Sequence, residues 1–239
     1  KNMKPKFALA IVVLLSVSLV VSACSIPFSR ALRGSGEAVT EERPVGSFSV
    51  IRLKGAGELI LTQGEAESLQ ITAEKNLLPK LSSDTVGDTL TLGFVDSFWR
   101  AALIPTRPIT YTLTVVDLEK ITIEGAGNLE MDGLTTASLA IELNGAGQIT
   151  IDDIHADSLV VHISGTGNIK LSGKAVDKTI TIDGAGNVQS ENLETTNTSF
   201  TINGIGNGTV WATESQNIQI NGGGSVGYYG DPRVTQNIQ

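Results

Sequence analysis

A Gly-x-Gly element that recurs along the chain is the feature that most restricts the fold. Its last six copies are separated by 20, 20, 19, 20 and 18 residues, and one earlier copy precedes them by 70 residues. Self-similarity at a fixed period is typical of repeat folds, in which each unit packs only against its neighbours. The first glycines of the copies are Gly55, Gly125, Gly145, Gly165, Gly184, Gly204 and Gly222.

The residues on both sides of each element alternate between apolar and polar with a period of two. Such alternation of β-branched residues, bounded by glycine and polar turns, predicts short strands with one buried face. The apolar positions two residues before the first glycine of the array are Ile123, Leu143, Ile163, Ile182, Ile202 and Ile220.

Two topologies fit such units: a meander of antiparallel hairpins and a solenoid of parallel coils. In a solenoid, equivalent residues of successive coils lie about 4.8 Å apart. Polar side chains inside a corner can therefore form hydrogen bonds with the equivalent side chains of the coils above and below. A polar column stands three residues after the first glycine, which favours the solenoid. This predicted amide ladder consists of Asn128, Gln148, Asn168, Asn187 and Asn207, followed by Ser225.

We therefore predict an all-β fold, a right-handed parallel β-helix built from coils of about 20 residues. Glycine is expected at each corner because a tight bend needs backbone angles that a β-carbon would penalise. The predicted corner residues are Gly125, Gly127, Gly145, Gly147, Gly165, Gly167, Gly184, Gly186, Gly204 and Gly206.

The β-helical domain is predicted to span residues 47–235, because the residues around Gly55 match the same template. Within it, residues 96–108 form an insertion, with Phe98 and Trp99, that is expected to cap one end of the helix. Another strand is expected to begin over residues 234–239, of which residues 236–239 are assigned to a tail, and a final coil is expected to be missing.

The first 23 residues have the profile of a lipoprotein signal peptide, with three lysines followed by an apolar stretch over residues 7–21. That stretch is shorter than the roughly 20 residues that a membrane-spanning helix needs. It ends in Val-Ser-Ala-Cys, which resembles the bacterial lipobox, so Cys24, the only cysteine, is the predicted lipidation site. Residues 24–46 are rich in Gly, Ser, Pro and charge, which predicts a flexible tether.

The composition restricts the partners of the protein. The chain has a net charge of −8, and removal of residues 1–23 would leave 14 basic and 25 acidic residues, or about −11. Such a chain repels phosphate backbones, so no nucleic-acid partner is expected. We expect a membrane partner, through lipid on Cys24, and location in the cell envelope, at the outer membrane or the outer face of the cytoplasmic membrane.

Some parallel β-helices are polysaccharide lyases, which makes an enzyme one of the candidate functions. His155 and His162 are predicted to lie on different parts of a coil, and Asp132 and Asp152 share a column at a turn. A polysaccharide-cleaving site needs several acids or bases on one face, and acids at turns are usually solvated. No catalytic residue, metal or cofactor is predicted. No Gly-x-Gly element opens a helix, so none is expected to bind phosphate.

Trp211 and Tyr229 both stand seven residues after a first glycine and are predicted to stack on one outward face. Adjacent exposed aromatic rings can bind the faces of sugars. The alternative is a purely structural role, in which the two rings cover the last coil. A polar stripe on another face could bind a polymer or simply contact water: Thr122, Glu142, His162, Thr181, Thr201 and Gln219.

The repeated Gly-Ala-Gly-Asn, the Val50–Gly57 opening, Asn76–Pro79 and the closing Tyr228–Pro232 resemble the head GIN domain family of autotransporter adhesins. The resemblance covers residues 45–235. It implies a β-helical exported body, commonly lipid-anchored, with a role in adhesion and with no catalytic residues. The insertion around Trp99 is longer than the family pattern.

Three functions remain open from the sequence. The first is an envelope adhesin or binding module that presents a solenoid surface to glycan or protein. The second is an envelope scaffold or stress component without a ligand. The third is a carbohydrate-active enzyme, which would need the acids near Asp152.

Overall fold

The computed structural model describes residues 31–95 and 103–239. The predicted signal peptide, Cys24, Phe98 and Trp99 lie outside this range. Within it, no helix is long and apolar enough to cross a membrane. The described residues include a 3-10 helix at Leu78–Lys80. Their strands are β1 (Leu32–Arg33), β2 (Ala38–Arg43), β3 (Val50–Leu53), β4 (Ala56–Gln63), β5 (Ser68–Glu74), β6 (Leu81–Val86), β7 (Thr89–Phe94), β8 (Leu103–Ile104), β9 (Thr110–Val115), β10 (Lys120–Ile123), β11 (Ala126–Leu143), β12 (Ala146–Ile163), β13 (Thr166–Ile182), β14 (Ala185–Ile202), β15 (Ile205–Ile220), β16 (Gly223–Tyr229) and β17 (Arg233–Ile238).

Stacked parallel coils form the body of the molecule, which confirms the predicted solenoid. Strands β11 to β14 are 17 or 18 residues long because each follows nearly a whole coil and pairs in parallel with the next. Equivalent residues of the repeat are register partners, as in Leu129 with Ile149 and Leu143 with Ile163. The alternation in the sequence therefore places the same side chains over one another along the stack.

The interior of the solenoid is filled by the predicted aliphatic columns. Each side chain of the column two residues before the first glycine is at most 6% exposed, and most are fully buried. Burying a Val, Leu or Ile side chain contributes roughly 1.5–3 kcal/mol relative to leaving it exposed. Leu134, Ile154 and Leu193, each nine residues after a first glycine, are buried at the polar turn of their coils, which we term the turn-side corner.

The corner glycines are required for a different reason from the one predicted. Of the predicted corner residues, none has a positive φ, so backbone angles are not the cause. A Cβ placed on Gly145 would lie 1.8 Å from the carbonyl oxygen of Gly125, and one on Gly165 would lie 1.9 Å from that of Gly145. A side chain at these glycine positions would therefore collide with the backbone of the preceding coil.

The stacking order of the coils differs from their order in the sequence. Strand β3 pairs in parallel with both β7 and β10, and β4 pairs in parallel with both β9 and β11. The coil that contains Gly55 is therefore sandwiched between two coils that follow it in the chain.

Antiparallel strands cover the N-terminal end of the stack. Strand β5 pairs antiparallel with β9, β2 pairs antiparallel with β5, and β6 forms a hairpin with β7. The predicted tether over residues 24–46 thus contributes two strands, because Val39 packs on the core and β2 completes an open edge. The described part of the predicted cap insertion adds only β8, which pairs with β1.

Glu74 connects three segments at this end. Its side chain is fully buried and accepts hydrogen bonds from Gly36 N at 2.6 Å, Thr106 N at 2.8 Å and Thr106 Oγ1 at 2.5 Å. These hydrogen bonds lower the pKa of Glu74 to about 2, and the bond from the Thr106 hydroxyl has the largest effect. Burial acts in the opposite direction and raises the pKa. The carboxylate thereby joins the segment after β1 to the segment after β8.

The C-terminal end consists of β16 and β17, which both pair with β15. Residues 236–238, predicted as part of a tail, belong to β17, because Gln236 and Ile238 continue the columns of Ile218 and Ile220. Tyr228 and Ile238 occupy inward positions of this last coil but are 46% and 64% exposed.

Candidate functional site

Trp211 and Tyr229 are register partners on β15 and β16, as their shared position in the repeat predicts. Trp211 is half-buried and Tyr229 is 57% exposed. The hydroxyl of Thr195 donates a 2.6 Å hydrogen bond to the carbonyl oxygen of Trp211 and fixes the backbone there. The two aromatic side chains therefore stand on neighbouring coils at the turn-side corner.

A change of register beside Trp211 builds one wall of a cleft. Ser190 pairs with Val210, but the next pair is Glu194 with Trp211, so three residues of β14 have no partner in β15. Of these three, Leu193 points into the core, while Glu191 and Asn192 remain on the surface. The unit that begins at Gly204 has 18 residues instead of 20, and this shortening leaves Glu191 and Asn192 to overhang Trp211.

The resulting cleft has a volume of about 400 Å³ and is lined by Glu191, Asn192, Trp211, Tyr229 and Gly230. The hydroxyl of Thr209 donates a hydrogen bond to Oε2 of Glu191 and orients its carboxylate. Gly230 has a φ of +95°, and a Cβ there would lie 2.0 Å from the carbonyl oxygen of Ala212. The size is in the range of small-molecule sites, and the lining combines aromatic faces with a carboxylate and an amide.

Part of the predicted amide ladder is present, from Asn168 to Asn207, and it lies on the outside of the solenoid. Asn187 Nδ2 donates to Asn168 Oδ1 at 2.9 Å, and Asn207 Nδ2 donates to Asn187 Oδ1 at 3.2 Å. These side chains are exposed, because the next residue of each coil points inward. The prediction that they lie inside the corner is wrong, since the period-two alternation around Leu129 already requires the opposite face.

A second ladder, which the sequence analysis missed, stands one residue before the first glycine. Ser164 Oγ donates to Asn144 Oδ1 at 2.8 Å, Asn203 Nδ2 to Asp183 Oδ1 at 2.7 Å, and Asn221 Nδ2 to Asn203 Oδ1 at 2.8 Å. When the repeats are aligned on the first glycine, these polar residues share one column, so the sequence contains the information to predict this ladder. Both ladders flank the glycine corner on its solvent side.

The structure does not bring the two histidines together. Nε2 of His162 lies 2.7 Å from Oδ2 of Asp183 on the polar stripe, and Nε2 of His155 lies 3.2 Å from Oδ1 of Asp153 at the turn-side corner. The pKa of Asp183 is lowered, chiefly by the hydrogen bond from Asn203 and then by that of His162. Both pairs are exposed to solvent.

Asp132 and Asp152 are register partners, as predicted. Ser172 Oγ donates a 2.8 Å hydrogen bond to Asp152 Oδ1. Across residues 31–95 and 103–239, no group of three or more His, Cys, Asp or Glu side chains could hold a metal ion.

A buried lysine was also missed by the sequence analysis. Lys178 is 1% exposed and continues the column of Leu139 and Leu159 inside the solenoid. Its Nζ donates to Ser190 Oγ at 3.2 Å and to the carbonyl oxygen of Leu193 at 3.4 Å. Burial lowers the pKa of Lys178 to about 7.

Comparison with known proteins agrees with this architecture. The family model described as "Putative auto-transporter adhesin, head GIN domain" matches residues 47–232. A search of the curated proteins found no match.

Three solved structures have a similar fold. A "putative adhesin" from Bacteroides fragilis has 27% sequence identity and a TM-score of 0.82, with 87% of this chain and 95% of that chain covered. A "putative adhesin" from Parabacteroides merdae has 18% identity and a TM-score of 0.65, with coverage of 87% and 95%. A "Putative lipid binding protein" from Parabacteroides distasonis has 18% identity and a TM-score of 0.65, with coverage of 88% and 96%.

Proposed function

Because this chain belongs to the auto-transporter adhesin, head GIN domain family, we propose that it is an adhesin of the bacterial cell envelope that binds glycan. The observation that carries the proposal is the cleft between Trp211 and Tyr229. We assign the binding of a sugar ring to this cleft.

The chemistry of the cleft fits a carbohydrate. The C–H face of a sugar ring packs on aromatic side chains, and its hydroxyl groups need acceptors and donors around the rim. Tyr229 offers an exposed ring above Trp211, and Glu191 and Asn192 offer a carboxylate and an amide on the overhang. Thr209 and Thr195 hold Glu191 and the backbone of Trp211 in place before a ligand arrives. Such preorganisation lowers the entropic cost of binding.

We also propose that lipid on Cys24 holds the protein at a membrane surface. The support is the Val-Ser-Ala-Cys sequence after an apolar stretch and the absence of any second cysteine. Metabolic labelling with a fatty acid tests this part, with Cys24→Ser as the variant that should lose the label. Labelling that persists in Cys24→Ser would exclude the proposed anchor.

A glycan array screened with the protein and with Trp211→Ala tests the binding function. We expect the wild type to bind a restricted set of glycans and Trp211→Ala to lose them, because the stacking surface is gone. Ile205→Ala is the matched control, since it removes an apolar side chain that is 71% exposed elsewhere on β15. Equal binding by Trp211→Ala and the wild type would remove the cleft from the proposal. Binding of no glycan would favour the scaffold alternative.

Cleavage assays address the enzyme alternative separately. Asp152 and Asp132 are the acids that such a site would use, and their described surroundings include the hydroxyl of Ser172. Release of shortened glycans by the wild type but not by Asp152→Ala would replace binding by hydrolysis or elimination as the function.

A further inference from the structure

A cavity on the described surface lies on the same corner of the solenoid as the Trp211–Tyr229 cleft. It has a volume of about 560 Å³, and its lining includes Thr135, His155 and Lys174. These residues are register partners of one another on β11, β12 and β13. The cavity therefore crosses three coils rather than following one.

One continuous column connects this cavity to the cleft. Lys174 pairs with Glu194, Glu194 with Trp211, and Trp211 with Tyr229. The column from Thr135 to Tyr229 makes five steps from coil to coil, which corresponds to about 24 Å along the solenoid axis. We term the strip of surface along this column, from the cavity to the cleft, the axial groove.

The floor of the axial groove is made of small residues. Ala156 and Ala175 are half-buried register partners that follow His155 and Lys174 in their coils, and both pack on the core. On the far side of this floor stand the exposed residues Ala137, Asp157 and Val176. Larger side chains at the floor would close the groove, so its depth follows directly from these two alanines.

The charges of the groove select among glycans. Nζ of Lys174 lies 3.8 Å from Oε2 of Glu194, and Nε2 of His155 lies 3.2 Å from Oδ1 of Asp153. The Lys174 ammonium and the His155 ring thus each already face a carboxylate, while Asp157 and Glu191 add further negative charge. An acidic polysaccharide would be repelled, whereas a neutral chain would find hydrogen-bond donors and acceptors on both sides.

We propose that the axial groove and the Trp211–Tyr229 cleft are parts of one binding site for a linear, neutral oligosaccharide that lies along the solenoid axis. The aromatic cleft holds one sugar ring, and the groove from Glu194 to Thr135 holds the units that follow it. This inference rests on the proposed glycan-binding function and adds to it the shape and charge of the ligand.

Calorimetric titration with a length series tests the inference. The probes are linear neutral oligosaccharides of glucose, mannose, galactose and N-acetylglucosamine, from the monosaccharide to the hexasaccharide, together with matched uronic acid oligomers. We expect the affinity for a bound neutral series to rise by at least about tenfold from the disaccharide to the hexasaccharide. We expect the uronic acid oligomers to bind more weakly than neutral ones of the same length.

Two variants separate the groove from the cleft. His155→Ala combined with Lys174→Ala should remove most of the gain with length and keep the weak binding of short sugars. Lys170→Ala is the control, because it removes an exposed lysine of the same strand outside the cavity. Circular dichroism would verify that each variant is folded.

The possible results separate the proposed axial groove from the proposed glycan-binding function. Affinity that does not change with length, with Trp211 still required, would overturn the axial groove and leave the cleft as a glycan site. Preferential binding of the uronic acid oligomers would also overturn the inference while supporting a glycan function. Binding of no sugar at all would overturn both.

Discussion

The ring of Phe200 occupies the space that a side chain at Gly208 would fill. A Cβ placed on Gly208 would lie 2.2 Å from both Cε2 and Cζ of Phe200. The register partners of Phe200 in the neighbouring coils are Ile180 and Ile218, and those of Gly208 are Val188 and Val226. A larger residue in one column is therefore compensated by a smaller one in the column across the coil.

Gly208→Val should destabilise the protein by about 1–3 kcal/mol because the new side chain overlaps Phe200. Phe200→Ile should also destabilise it, since it leaves a cavity above Gly208. The double variant should recover most of the loss, with a coupling of about 0.5–3 kcal/mol in a double-mutant cycle. Denaturant unfolding of the four proteins measures this. Strictly additive effects would show that the two residues do not share the space.

Gly165→Ala should destabilise the protein at least twice as strongly as Gly133→Ala. At Gly165 a Cβ would lie 1.9 Å from the carbonyl oxygen of Gly145, whereas at Gly133 it would meet nothing within 4 Å. Gly133 has a φ of +78°, so its substitution costs only about 1–2 kcal/mol of backbone strain. Thermal unfolding compares the two. An equal loss would contradict close approach of the coils as the reason for glycine at the corner.

Lys178→Met should raise the stability of the protein at pH 7. Met matches the leucines of the same column and removes the cost of burying an amine among apolar groups. Melting temperatures of the wild type and of Lys178→Met provide the measurement. Lys174→Met is the control at an exposed position and should have little effect.

The stability of the wild type should rise relative to that of Lys178→Met as the pH increases from about 7 towards 10. The folded-state pKa of Lys178 is about 7, below its ordinary value of 10.5. Between these values the unfolded chain binds the proton and the folded chain does not, so folding becomes more favourable as the pH rises. Below pH 7 both states are protonated and the difference between the proteins should be constant. A difference that falls above pH 7 would contradict a buried neutral amine.

Glu74→Gln should loosen the segments around Gly36 and Thr106 at neutral pH. The lowered pKa of Glu74 means that its ionised form stabilises the fold above the ordinary value of 4.5 and that this contribution is lost as the pH falls towards about 2. Hydrogen exchange of these two segments should therefore be faster in Glu74→Gln at pH 7 and similar in both proteins near pH 2. Glu65→Gln, at an exposed position, serves as the control. Unchanged exchange at pH 7 would exclude Glu74 as the link between the segments.

The repeat carried most of the information on the body of the fold. Alignment on the first glycine placed Leu129 over Ile149 and Trp211 over Tyr229 without reference to the structure, and both pairs are confirmed. The same alignment did not reveal Lys178, because the repeat units differ in length before this position. Counted from the first glycine of its own unit, Lys178 stands one residue earlier than its register partner Leu159. Counting backwards from the next glycine would have placed it beside Leu159.

The N-terminal end could not be derived in the same way. Strands β2, β5 and β6 pair antiparallel and have no counterpart in the other coils, so no column identifies them. In the cleft, the sequence identified the two aromatic residues but not the overhang of Glu191 and Asn192. The 18-residue length of the unit that begins at Gly204 was visible in the sequence. The sequence does not show where the register changes, and this position decides which residues of β14 have no partner in β15.

The position of the Gly55 coil between two coils that follow it in the chain has a consequence for folding. A solenoid that winds in sequence order can add each coil as the chain is synthesised, through contacts between residues that are close in sequence. Here β3 and β4 remain without parallel partners until β7, β9, β10 and the start of β11 have emerged. The N-terminal part should therefore fold as one cooperative unit after roughly the first half of the chain is available, and this unit would then template the later coils.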